Sequence, residues 1–292
     1  MRHIFYTTSN TMKAIHKIII IGGIVAAPAL TSCDGAGQGT TGDNVISFAE
    51  LNASRAYILE GSAEDFMREA DLQCYDSVSI MIPTAIKGLN ISELQDSILS
   101  AAFDTISGDH TAAMNRYLDA QASNMGYTAK AISRDTVAIN LYDADGYTLI
   151  TGEVVSMTGA MLTYSVTNSS YSPGAAHGMT HRLYLNFSLS DGKVIKLGDL
   201  FTAEGLKALP GVIQSQADKM TSTLGITSIT ELPAYDNFFI TAAGDIVFAF
   251  QPYEVASYAQ GEVKVPFYAY ELAQYMTPYG LKIFNMQGIE GL

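Results

Sequence analysis

Outside the first 32 residues the chain carries three histidines, His110, His177 and His181. His177 and His181 are four apart, the spacing at which two imidazoles share a helix face and hold zinc in H-E-x-x-H proteins. No glutamate lies between them, and the surrounding residues predict a loop running into a strand, so no metal site is expected. Ser172, His177 and Asp199 supply the residue types of an acyl-transfer triad, but no Gly-x-Ser-x-Gly turn presents the serine. Two carboxylates acting on a glycan need only spatial proximity. A hydrolase with Glu254 and His177 as acid/base candidates therefore stands as the catalytic alternative, and no cofactor is implied. The two cysteines are Cys33 and Cys74. Cys74, set among Leu72, Gln73 and Tyr75, is expected to be a buried small hydrophobe rather than a reactive thiol.

Cys33 has a different setting. Residues 12–17 are basic, residues 18–29 are apolar, and Leu30-Thr31-Ser32-Cys33 follows. These are the parts of a cleavable signal peptide, and the apolar run is shorter than the ~20 residues of a spanning helix. Small residues before a thiol resemble a lipobox, which implies cleavage ahead of Cys33 and lipidation of its sulfur. Several acyl chains would anchor the protein firmly where one alone binds marginally. Residues 34–42, Asp-Gly-Ala-Gly-Gln-Gly-Thr-Thr-Gly, have nothing to pack and form a flexible tether. Met12 is a candidate start, with residues 1–11 as an upstream extension. The expected location is the bacterial cell envelope, lipid-anchored and facing the periplasm, with the outer membrane favoured over the inner.

Loss of residues 1–32 removes Arg2, Lys13 and Lys17 but no acid, and takes the net charge from −13 to −16. Such a surface repels phosphate backbones, so nucleic-acid binding is excluded, while basic partners are attracted.

The elements that must position the candidate residues follow from periodicity. Residues 45–70 read as a short strand or the start of a helix. Residues 77–83 alternate as a strand ending at Pro83, and Asn90 to Glu93 has the form of a capping box. Ile91, Leu94, Ile98 and Ala102 then share one helix face. Residues 109–125 predict a second helix with Met114, Tyr117, Leu118 and Gln121 on one side. Strands are expected at 136–142, 148–157, 161–168 and 183–189, and Asp191-Gly192 turns the chain into 193–197. A helical region at 202–224, a hairpin at 238–251, a short helix at 268–276 and a closing strand at 281–285 complete the pattern. Strand-rich stretches with interposed helices predict an α+β fold, mostly antiparallel sheet with flanking helices.

Two segments carry a family resemblance. One is Tyr171-Ser172-Pro173-Gly174-Ala175-Ala176-His177-Gly178 with Asn186-Phe187, Asp191-Gly192-Lys193 and Asp199-Leu200-Phe201. The other is Phe239-Ile240, Gly244, Phe248, Phe250, Pro252-Tyr253-Glu254, Tyr258, Gly261 and Val265-Pro266. Together they resemble the extracellular domain shared by RsiV-type lysozyme-sensing anti-sigma factors and PdaC-type peptidoglycan deacetylases, over residues 75–279. The resemblance implies two packed lobes, 45–168 (PdaC-like) and 169–292 (RsiV-like), after a signal peptide at 1–32 and a tether at 33–44. It also implies that Tyr171, Gly174, His177, Gly178, Pro252, Tyr253, Glu254, Tyr258 and Gly261 lie on two neighbouring loops and contact a ligand. Ala175 replaces a glycine of the family's first loop, and Pro173 stiffens it. The spanning helix of the anti-sigma factors and the catalytic domain of the deacetylases are not recognisable. The expected function is therefore non-catalytic binding of peptidoglycan or of a basic wall-active protein such as lysozyme. The alternative is a cell-wall glycan hydrolase or deacetylase-type enzyme.

Overall fold

The computed structural model describes residues 46–60, 72–86, 88–105, 109–124, 128–131, 141, 144–220 and 225–287. The signal, Cys33, the tether and most of the strand expected at 136–142 lie outside them. Strands β1 (Ile46–Glu60) and β2 (Leu72–Ile86) form a long antiparallel ribbon, so the weak pattern at 45–70 hides a full strand. Helices α1 (Ser92–Phe103) and α2 (His110–Asn124) follow, then the short β3 (Thr128–Ala131). Next come β4 (Gly146–Met157), β5 (Met161–Tyr171), β6 (Met179–Ser188) and β7 (Val194–Ile195). The sheet order is β3-β1-β2-β4-β5-β6-β7, with every pair antiparallel except β2–β4. A parallel pair needs a crossover, and α1 and α2 lie in it.

Alternation in β2 places Val78, Ile80 and Ile82 on the buried face, where they meet Leu94, Ile98 and Leu99 of α1 and Met114 and Leu118 of α2. The α1 stripe is buried as its spacing requires. The helix begins one residue later than a box at Asn90 would have it. Ile91 is the N-cap without a side-chain cap, and Asn90 Oδ1 accepts from the Ser92 N–H at 3.1 Å.

The second half adds α3 (Leu197–Leu200), α4 (Ala203–Ala217) and a three-stranded sheet of β8 (Phe238–Ile240), β9 (Ile246–Phe250) and β10 (Val263–Phe267), with β9 central. Every residue of β9 is buried, as befits a strand covered on both faces. Leu209 and Ile213 of α4, Phe248 and Val265 share its core. Pro266, which has no N–H to give a neighbour, sits on the edge strand β10. The short helix expected at 268–276 is a 3-10 helix, Ala269–Tyr275. Residues 281–285 do not form the expected strand. Residues 281–283 end α5 (Pro278–Ile283) and Phe284 is its C-cap; the helix is begun by Thr277, whose Oγ1 accepts from the Gly280 N–H at 3.0 Å, and by Pro278 in the first turn. Among the described residues no helix is long and apolar enough to cross a membrane.

The two sheets are joined by buried amides. The pairing of β6 with β7 covers only Asn186 and Phe187, so the backbone of residues 179–185 would otherwise present a bare edge. Side chains occupy it instead. Asn237 Oδ1 accepts from the Tyr184 N–H at 2.9 Å, and its Nδ2 donates to the Arg182 and Ala249 carbonyls at 3.0 Å each. Gln251 Oε1 accepts from the Arg182 N–H at 3.0 Å while its Nε2 donates to the Arg182 carbonyl. Asn186 accepts from Thr163 and donates to the Phe238 carbonyl, both at 2.8 Å.

Among the described residues a few buried polar groups lack such satisfaction: the Tyr57 and Tyr164 hydroxyls, one Glu262 oxygen and both oxygens of Asp76. Asp76 on β2 is 0% exposed, and neither carboxylate oxygen has a hydrogen-bond partner of good geometry. Burial holds this carboxyl above its ordinary range, outweighing the neighbouring Tyr57 hydroxyl and Thr148, which favour the charged form. Burial, with Asp76 nearby, also pushes the Cys74 thiol up to about 12, which leaves it unreactive at neutral pH. Because the folded chain holds the Asp76 proton more tightly than the unfolded one, the stability it contributes is complete below about pH 3.9 and is lost as pH rises through the folded value. Asp76→Asn should therefore match wild type in acid and exceed it by ~1–3 kcal/mol at pH 8. Thermal melts from pH 4 to pH 8 check this; an unchanged pH slope in the variant would refute it.

Candidate functional site

The two loops expected to be neighbours meet. The first links β5 to β6. Gly174 supplies the left-handed turn (φ 78°), and Ala175 N donates to the Ser172 carbonyl at 3.0 Å. Tyr171 braces this loop: its hydroxyl donates to the Ala175 carbonyl at 3.0 Å and its ring packs on Tyr147 at 6.0 Å. Gly178 passes so close to β5 that a Cβ there would lie 3.0 Å from the Ser170 carbonyl oxygen. These constraints deliver an exposed His177.

The second loop leaves β9 at Gln251, which is fixed to the Arg182 backbone of β6. Pro252 is buried behind it. Glu254 turns the chain: one carboxylate oxygen accepts from the Gln251 N–H, and the other accepts from the Ala234 N–H at 2.8 Å. Both oxygens thus serve backbone donors and hold the loop's shape. Val255 and Ala256 are buried, a 3-10 turn spans Tyr258–Gln260, and Gly261 closes it with φ 67°.

At the meeting point the His177 ring stacks on Tyr258 with centroids 3.8 Å apart and planes 17° apart. Tyr253 is 5.9 Å from Tyr258 and 6.3 Å from His177. His177 Nδ1 lies 2.9 Å from the Gly178 carbonyl oxygen, so that nitrogen carries the proton and donates. In the neutral ring Nε2 then accepts from the Tyr253 hydroxyl, 3.1 Å away. Both nitrogens are engaged by groups other than Ser172 and Asp199, and Asp199 instead accepts from the Lys196 N–H. Among the described residues no cluster of three His, Cys, Asp or Glu side chains forms a metal site.

Beside this platform lies a surface pocket of about 440 Å³ lined by Arg182, Gln251, Tyr258, Gly261 and Glu262 among others. Arg182 Nε donates to Thr167 at 2.9 Å. Glu262 is answered by Lys264 at 2.9 Å and by the Tyr184 hydroxyl at 3.4 Å. Arg182 in turn faces Glu262 and Glu153, so two cations, Arg182 and Lys264, are set against two anions around the pocket.

Three participants were not evident from the sequence. Arg182 and Gln251 reach the site only through the tertiary pairing of β6 with the small sheet. Tyr235 lies in the 3-10 turn Ala234–Asp236, 87% exposed, with φ 59°. The hydrogen bond from Ala234 to Glu254 sets that turn beside the Tyr253 loop. Pro233 before it and Asp236-Asn237 at its end are turn chemistry, the local signals for that turn.

The stretch from α3 to the end of β10 contains the second loop and the tyrosine turn. Residues 198–268 match the model of a protein family of unknown function, DUF3298. The first loop lies outside the DUF3298 match, so the candidate site straddles its boundary. A DUF3298 family member from Bacteroides fragilis NCTC 9343 has a similar structure, with TM-score 0.61 and 19% identity. The alignment covers 84% of this chain and 98% of that one. At that identity the likeness is one of fold. A DUF3298 family protein from Pseudomonas aeruginosa PAO1 is 12% identical with TM-score 0.48, covering 81% and 97% of the two chains. No curated protein matches this chain.

Proposed function

We propose that this chain is a non-catalytic binding protein of the bacterial cell envelope. Cys33 anchors it by lipid, and the surface around His177, Tyr253 and Tyr258 recognises peptidoglycan or a basic wall-active protein such as lysozyme. The observation that carries this reading is Tyr253. It is 56% exposed and sits at φ 72°, a left-handed conformation that costs a non-glycine residue about 1–2 kcal/mol. Glycine would remove that cost, and exposed strain of this kind points to a role for the ring beyond its hydrogen bond to His177. Rigid aromatic area at low entropic cost is what binding surfaces use. The resemblance to wall-associated extracellular domains points the same way. An enzyme based on Glu254 fits less well, since both its oxygens are occupied by backbone N–H groups.

Incubating the full-length protein with insoluble peptidoglycan, and separately with immobilised lysozyme, tests the reading. Retention on either without soluble product is expected; released saccharides or acetate would make it an enzyme instead. The anchor has its own test. Cys33→Ala should leave an uncleaved, unlipidated precursor that no longer partitions into the detergent phase of a whole-cell extract, whereas unchanged partitioning would refute lipidation.

A further inference from the structure

Two tyrosines in this region, Tyr253 and Tyr235, share an unusual pair of properties. Each is exposed, at 56% and 87%, and each sits at positive φ, 72° and 59°. Their turns are tied together through Glu254, which follows Tyr253 directly and accepts from the N–H of Ala234, the residue before Tyr235. A single carboxylate therefore holds two outward tyrosines on neighbouring turns. Tyr253 also neighbours the Tyr258–His177 stack, and Tyr258 lines the pocket walled by Arg182 and Glu262.

The chemistry of this row selects among ligands. A strongly basic protein would seek uncompensated carboxylates, yet Glu254 is spent on backbone donors and Glu262 is answered by Lys264. An anion would seek free cations, yet Arg182 faces Glu153 as well as Glu262. What remains is a set of flat aromatic faces beside a charge-balanced pocket of hydrogen-bonding groups. That suits a neutral, polyhydroxylated ligand with flat C–H faces, which aromatic rings accept by stacking while polar groups fix its orientation. Several such faces in succession suit a chain of repeating units.

Resting on the binding function proposed above, we infer that Tyr235, Tyr253 and Tyr258 form a stacking track for the saccharide chain of the wall. Successive pyranose rings lie on successive tyrosines, and the Arg182–Glu262 pocket takes the polar substituents of one of them. Tyr235 is thereby assigned a binding role remote from the His177 stack, and the protein reads glycan rather than stem peptide.

The test is calorimetric titration of the full-length protein in detergent with a β-1,4-linked N-acetylglucosamine hexamer and dimer. The hexamer should bind at least tenfold more tightly than the dimer. Tyr235→Ala, at a site too exposed to disturb the core, should erase most of that difference and leave the dimer unaffected. Tyr258→Phe, which keeps the ring, should retain binding. Hexamer binding indifferent to Tyr235→Ala would overturn the track. Retention on intact peptidoglycan or lysozyme with no affinity for the hexamer would also overturn it, while leaving the binding function standing. Failure to bind any of the three would remove both.

Discussion

Asn237→Leu is expected to destabilise the protein by about 3–5 kcal/mol, the largest effect of any single substitution considered. The amide is 1% exposed and makes three hydrogen bonds to backbone groups of β6 and β9. Leucine matches its size and offers none. The Arg182 carbonyl keeps Gln251 as a partner, but the Tyr184 N–H and the Ala249 carbonyl lose their side-chain partner inside the protein. Each such orphan costs about 1–3 kcal/mol, and the loosened edge adds to it. For a chain of this size the melting temperature should fall on the order of 10 °C. Differential scanning calorimetry reads it directly. A shift of a degree or two would mean that the small sheet is held by its apolar core alone and that the amide stitching is incidental.

Tyr253→Gly should do the reverse: abolish binding and spare the fold. Removing the Cβ relieves about 1–2 kcal/mol of left-handed strain, while the greater freedom of glycine in the unfolded chain costs about 0.5–1 kcal/mol. Melting should be unchanged or slightly raised. The affinity for peptidoglycan fragments should fall at least tenfold, as for an aromatic residue at the centre of an interface. Tyr253→Ala would lose the same binding but keep the backbone strain, so the two variants should differ in stability and agree in affinity. If Tyr253→Gly melted well below wild type, the ring would be a structural brace for His177.

The sequence conveyed the helices α1 and α2, the hairpin of β4 and β5, and the proximity of the two loops, because each rests on local periodicity or on a motif. It misled at 281–285, where apolar residues suggested a strand. Thr277-Pro278 was the stronger signal there, since a cap and a preset φ commit the chain to a helix before its apolar residues are reached. Strand β10 was obscured by Pro266, which is harmless only because β10 lies at an edge. The roles inside the site were less legible still. Nothing local distinguishes Tyr253, which projects, from Tyr171, which braces its own loop, or shows that Glu254 serves two backbone N–H groups. Asn237 and Gln251 act on a strand more than fifty residues away in sequence, and no pattern in their own neighbourhoods announces a bare sheet edge.

On the proposed function, the loops at 172–178 and 251–262 form one recognition surface. Hydrogen exchange of the full-length protein, measured with and without soluble peptidoglycan fragments, tests it most directly. Added protection should be confined to those two loops and to the turn at 233–237. Protection confined to the helices α1 and α2, or to the outer strands β1 and β3, would place the binding surface elsewhere and contradict the account.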